Sequence, residues 1–188
     1  MSYNAQQRQS LLKLARDAIN YGLSHESSRL PVAVDAYETQ LQQPRASFVT
    51  LHMNQRLRGC IGSLQPRWSL VEDVAHNAHA AAFSDPRFAP LNRKELALIE
   101  ISISVLSEPK PLCFHNEQNL LDQLRPGEDG LILTCGSQRG TFFPSVWSQL
   151  PQPADFLNQL KLKAGLPADY WSDQLQVSRY TTESFSDS

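Results

Sequence analysis

Leu57-Arg58-Gly59-Cys60-Ile61-Gly62-Ser63 compresses a cation, two glycines and a thiol into one short run, and no other stretch of the chain is so constrained. Glycine costs order in a strand or helix. Two of them flanking a Cys-Ile pair therefore point to positive φ, or to a close approach of the backbone to something else, a ligand included. Arg58 precedes Cys60 by two residues, and in an extended segment such residues share a face, where a fixed positive charge favours thiolate over thiol. Cys60 is thus a candidate nucleophile, with Arg58 beside it and the amides near Gly59 and Gly62 as substrate contacts. The plainer reading makes Cys60 a small buried hydrophobe in a strand whose glycines serve packing.

Upstream, Phe48-Val49-Thr50-Leu51 lies in a predicted strand over 47–53, and Asn54-Gln55 supplies a turn, so Cys60 falls on the second arm of a hairpin. Downstream, Ser69-Leu70-Val71-Glu72 matches a capping box and predicts a helix from Leu70 to about Phe83, stopped at Ser84-Asp85-Pro86. Asn92 with Glu95 repeats the capping pattern for a short second helix. Ile99, Ile101, Ile103 and Val105 then alternate with Glu100, Ser102 and Ser104, a half-buried strand with Glu100 on its polar face. Asp85-Pro86-Arg87-Phe88 is a stiff proline turn, and its arginine offers a bidentate fork either to a ligand carboxylate or to an internal acid. Glu100 is placed to orient Arg58 or Arg87, or to act as a general base.

The remaining elements bracket this unit. A packing helix runs over 4–22 and stops at Gly22, and Val32 and Val34, between Pro31 and Pro44, read as a short edge strand. A helix over 116–124, a loop over 125–130 and a strand over 131–134 follow. Gly136-Ser137 turns into a partner strand over 139–143, and a helix fronted by Asp155, with Lys161 and Lys163 as charges at its C-terminal end, closes at Gly165. Leu175 and Val177 begin a last strand, and the tail after Phe185 is expected to fray. Hairpin, glycine-bearing strand, two helices and strand occur twice in order. The fold class is therefore α+β, with antiparallel sheets in two lobes built from a duplicated unit, one domain over 1–188 with no flexible linker.

A chain of 188 residues buries a full core without metal or disulfide, and a net charge of −2 without like-charge blocks argues against gripping nucleic acid. Three cysteines without CxxC spacing fit a reducing cytosol, and neither a leader nor an apolar run of spanning length is visible. His76 and His79 share a helix face, yet a third metal ligand is missing, and Cys113-Phe114-His115 fares no better, so neither a structural metal nor a cofactor is expected. Should Cys60 need a base, His52, His76 and His79 are the candidates.

The hexapeptide Leu57 to Gly62, with Asp85-Pro86-Arg87-Phe88 and Pro90, Glu100-Ile101-Ser102, Gly140-Thr141-Phe142-Phe143-Pro144 with Trp147, and Lys163-Ala164-Gly165-Leu166, resembles the ordered blocks of the AMMECR family over residues 8–182. The branch most resembled is AmmeMemoRadiSam system protein A, whose genes neighbour those of a Memo-family protein and a radical-SAM enzyme. The resemblance implies an α+β fold with antiparallel sheets and makes Memo-like and radical-SAM proteins the implied partners. Two functions follow. One is a cytosolic enzyme acting on a small anionic molecule, with Cys60 as nucleophile in a cleft between the lobes lined by Arg58, Asp85, Arg87 and Glu100. The other is a noncatalytic accessory module that binds a metabolite or peptide and delivers it to such a partner.

Overall fold

The structure, a computed structural model, describes residues 2–25 and 29–187. Its elements are α1 (Ala5–Ser24), a 3-10 turn (Val34–Ala36), β1 (Ser47–Met53), β2 (Arg56–Gly62), α2 (Leu70–Phe83), β3 (Ile99–Leu106), β4 (Lys110–Pro111), α3 (Glu117–Leu121), β5 (Gly130–Cys135), β6 (Gln138–Phe142), a second 3-10 turn (Pro144–Ser148), α4 (Pro153–Lys163), β7 (Gln176–Tyr180) and β8 (Thr182–Ser186). They fall into two compact units, Met1–Leu106 with Glu183–Ser188, and Ser107–Thr182.

The first unit carries an antiparallel sheet in the order β2-β1-β3-β8. Asn54 and Gln55 both have positive φ, 51° and 62°, the geometry of a two-residue hairpin turn whose twist matches the strands it joins. Ser69 caps α2 as its sequence predicts, and Asn4 caps α1 in the same reciprocal way with Gln7. Val49, Leu51, Ile101 and Ile103 point to one face, where α1 and α2 bury them together with Leu11, Ile19, Val71 and Val74. Phe48, Thr50, His52, Glu100, Ser102 and Ser104 alternate onto the other face.

Three expectations fail here for local reasons. Val34 sits in a 3-10 turn, not an edge strand, because β2 and β8 already occupy both edges of the sheet. Asn92 and Glu95 do cap one another, but the chain enters β3 by Ile99, which leaves room for turns and no helix. The tail is paired, not frayed: β8 reaches Ser186, and Asp187 Oδ1 accepts the Ile101 amide at 2.7 Å.

The second unit has the sheet order β4-β7-β5-β6. Trp147 stacks on Phe156 at 3.8 Å in a core with Leu131, Leu133, Leu160 and Val177, and its indole N–H donates to the Asp129 carbonyl at 2.7 Å. Gly136 and Gly165, with φ of +58° and +85°, make the hairpin turn and the stop after α4. Lys161 departs from the sequence reading. It is wholly buried, and its ammonium donates to Glu117 Oε2 at 3.0 Å and to the Ala168 carbonyl at 3.2 Å, so it does not face solvent as a helix-end charge. In each unit a hairpin's first strand is flanked by its own second strand and by the strand that follows the helix, β2-β1-β3 in one and β6-β5-β7 in the other.

Candidate functional site

Cys60 pairs with Thr50 across the β1–β2 hairpin. Its amide donates to Asp85 Oδ2 at 2.9 Å, and its carbonyl accepts Arg87 Nη2 at 3.2 Å, so both main-chain groups point away from β1. Thr50 and Cys60 are therefore a non-hydrogen-bonded pair, the kind that brings facing side chains closest, and the Thr50 hydroxyl donates to the Cys60 sulfur at 3.2 Å. Asp85 and Arg87 supply to this edge strand what a further strand would supply.

The clamp is rigid because Asp85 is itself held. Pro86 stiffens the turn after α2, Arg87 Nε and Nη2 fork the carboxylate at 2.9 and 2.7 Å, and the Arg87 amide adds a third contact at 3.1 Å. Asp85 is 4 % exposed. The Arg87 guanidinium, against the opposing effect of burial and with help from the Cys60 and Arg87 amides, holds the Asp85 carboxyl well below the usual carboxylate range.

Arg58 does not share Cys60's face. The register shifts between Leu51 and His52, so Gly59 pairs with Leu51 while Leu57 pairs with His52, and Arg58 is the extra residue of a bulge. The bulge re-aims its side chain to Glu95 at 2.9 and 3.0 Å and to the Ala89 carbonyl at 3.0 Å. Its hydrogen bonds hold the Glu95 carboxyl below its ordinary value. Both guanidinium groups pack near the Phe88 ring, at 5.9 Å for Arg58 and 5.5 Å for Arg87. Each arginine has its own carboxylate, so the cluster is charge-balanced, whereas the sequence suggested a positive site. Among the described residues Arg58 Nη1 is left buried without a partner.

The two glycines answer a close approach, not a positive φ. A Cβ on Gly59 would lie 2.2 Å from the Ala81 carbonyl oxygen of α2, and one on Gly62 would lie 2.3 Å from Phe48 Cγ and 2.4 Å from the Ser47 carbonyl oxygen. What presses on the strand is the helix and the neighbouring strand.

The structure gathers Arg58, Gly59, Cys60, Gly62, Asp85 and Arg87 into the first unit around one strand edge. Glu100 is exposed on β3, two strands over and one row along from Cys60, roughly 10 Å or more by strand spacing, and it pairs with neither arginine. His76 and His79 belong to α2, on the face opposite the thiol, with His76 against Trp68 and His79 against Phe83. His52 is on the thiol's face, one row along. Sequence reasoning missed Glu95 and Thr50. The Asn92 to Glu95 spacing did flag Glu95, but as a helix cap: Oε2 accepts from Asn92, and both carboxylate oxygens accept from Arg58. Among the described residues no group of three His, Cys, Asp or Glu is arranged to hold a metal ion, and no helix is long and apolar enough to cross a membrane.

Two four-stranded antiparallel sheets, one with a glycine-flanked thiol clamped at its edge, define a mixed α and β protein of a specific class. The chain belongs to the AMMECR1 family, whose model matches residues 12–185. Protein NEQ441 of Nanoarchaeum equitans is 33% identical over 166 residues, covering 87% of this chain and 91% of the relative. A protein of Methanothermobacter thermautotrophicus is 36% identical over 179 residues, covering 94% and 92%. The crystal structure of the uncharacterized protein PH0010 from Pyrococcus horikoshii superposes with a TM-score of 0.83 at 32% identity, covering 94% of this chain and 89% of that one.

Proposed function

We propose that the protein is a cytoplasmic ligand-binding module whose site is the outer sheet face around Thr50, Cys60 and Arg87, and that it takes a small molecule bearing a carboxylate or phosphate. One observation carries this reading: Arg87 is fixed by Asp85, yet its side chain is 53% exposed beside a half-buried thiol, and its Nη1 has no hydrogen-bond partner among the described residues. With charges balanced, recognition rests on directed hydrogen bonds and not on excess positive potential. In this role the bound molecule passes to a Memo-like or radical-SAM partner, as the family resemblance implies. The test is alkylation of Cys60 by iodoacetamide at pH 7, followed by peptide mapping with and without phosphate or citrate. The expected result is slower labelling of Cys60 but not of Cys113, lost in Arg87→Gln. Equal labelling with and without the anions overturns it.

A second reading, catalysis with Cys60 as nucleophile, is favoured by the Thr50 hydroxyl donating to a sulfur that is half-buried and not sealed in the core. It requires Cys60 to outrun the exposed Cys113 in the same labelling. Labelling in order of exposure ends it.

A further inference from the structure

The second unit has a cavity of its own. β4 stays with β7 over Lys110 and Pro111, and Leu112 still donates its amide to the Val177 carbonyl at 2.9 Å. Beyond that point residues 113–115 and 171–173, with Leu175 and Gln176, line a cavity of about 630 Å³, within the usual range for small-molecule sites. Leu112, Leu175 and Val177 give it an apolar floor, and the rings of Phe114 and Trp171, edge to face with centroids 5.7 Å apart, form a wall. Trp171 is braced from within by the wholly buried Lys161, whose ammonium lies 6.0 Å from the ring and is neutralised by Glu117 at 3.0 Å.

The charge on the lining is one-sided. Asp173 is the single carboxylate there, it has no ion pair or hydrogen-bonded cation among the described residues, and neither Lys nor Arg lines the cavity, whose one basic side chain is the His115 imidazole. An indole, a phenyl ring and a carboxylate around an apolar floor is the chemistry that recognises an organic cation. The ring faces attract positive charge, the carboxylate fixes it, and the floor takes the hydrocarbon. We propose that this cavity binds a small organic ammonium, with the cationic head between Asp173 and the aromatic wall and the hydrocarbon body over Leu175 and Val177. The site is independent of the Cys60 face, and its success or failure leaves that reading untouched.

The experiment uses three probes of similar size on the full chain: benzyltrimethylammonium, benzyl alcohol and benzoate. Binding is followed by protein-detected NMR, and by shielding of Cys113, which lines the same cavity, from N-ethylmaleimide. The expected result is that the cation binds tighter than both other probes and shields Cys113. Asp173→Asn weakens it about fivefold, the value of one modest ionic contact, while Asp169→Asn, an exposed acid outside the lining, does not. Both changes are at exposed positions, so the fold survives them. Binding of benzoate as tight as that of the cation overturns the proposal, as does a cation preference unchanged in Asp173→Asn.

Discussion

The amide of Cys60 and the carboxylate of Asp85 are joined at 2.9 Å, which ties the exposed edge of a strand to the turn that follows the Ser84 cap of the helix packed beneath it. Strand edge and helix end therefore shift together, and a change in either is felt at the thiol.

Removing the carboxylate leaves the Cys60 amide and one edge of Arg87 without their acceptor. Asp85→Ala is expected to lower stability by roughly 2 kcal/mol in urea melts, several times the effect of Asp169→Ala. The Asp85 carboxyl is depressed in the folded state, so its contribution is complete above the unfolded value near 3.9 and is lost as pH falls below it. The variant should accordingly be less sensitive to acid between about pH 4 and 2 than the parent; an unchanged acid slope removes Asp85 as the anchor.

Asp73 behaves in the opposite sense. It is wholly buried, its Oδ2 accepts from the Ser47 amide and hydroxyl and from Asn77, and burial pushes its carboxyl up to about 6. The folded state then holds a proton that the unfolded chain releases near 3.9. The stabilising difference is present below that value, falls as pH rises through about 6, and is absent above it. Between pH 4 and 7.5 Asp73 should account for a loss of roughly 2 to 3 kcal/mol that Asp73→Asn does not show. Parallel slopes for the two proteins rule this out.

Gly59→Ala places a methyl 2.2 Å from the Ala81 carbonyl oxygen and is expected to cost roughly 2 to 3 kcal/mol. Gly136→Ala, at φ +58° with open space around it, should cost only about 1 kcal/mol. Thermal melts of the pair rank close approach against backbone strain directly.

Lys161→Met should be near neutral or mildly stabilising, because it removes a buried charge together with the need to compensate it. Glu117→Gln, which leaves that buried ammonium with neutral acceptors and no counter-charge, should cost more than Lys161→Met. The reverse order would mean that the pair contributes net stability.

What could be read in the sequence is what repeats at short range. The Ser69 to Glu72 cap predicts α2 from Leu70 to Phe83, and the alternation from Ile99 to Val105 predicts β3, because period and cap are local properties. Arg58 shows where this stops. Spacing puts it beside Cys60, and a single bulged residue sends it to Glu95, a partner 37 positions away that no local pattern announces. Lys161 was misread for the same reason: its burial depends on where Glu117 and Ala168 arrive, and a helix-end charge looks identical in one dimension.

The contact between Gly59 and Ala81 also limits how this sequence can drift. A larger residue at 59 meets a helix carbonyl, which every amino acid carries, so no second substitution at 81 makes room for it. At Gly130 the atoms nearest to the added one belong to the ring of Tyr180, 2.5 Å away, and there a smaller side chain at 180 opens the space. A screen for intragenic suppressors should therefore recover revertants of Gly130→Ala at position 180, and for Gly59→Ala only reversion itself or changes that stabilise the whole first unit.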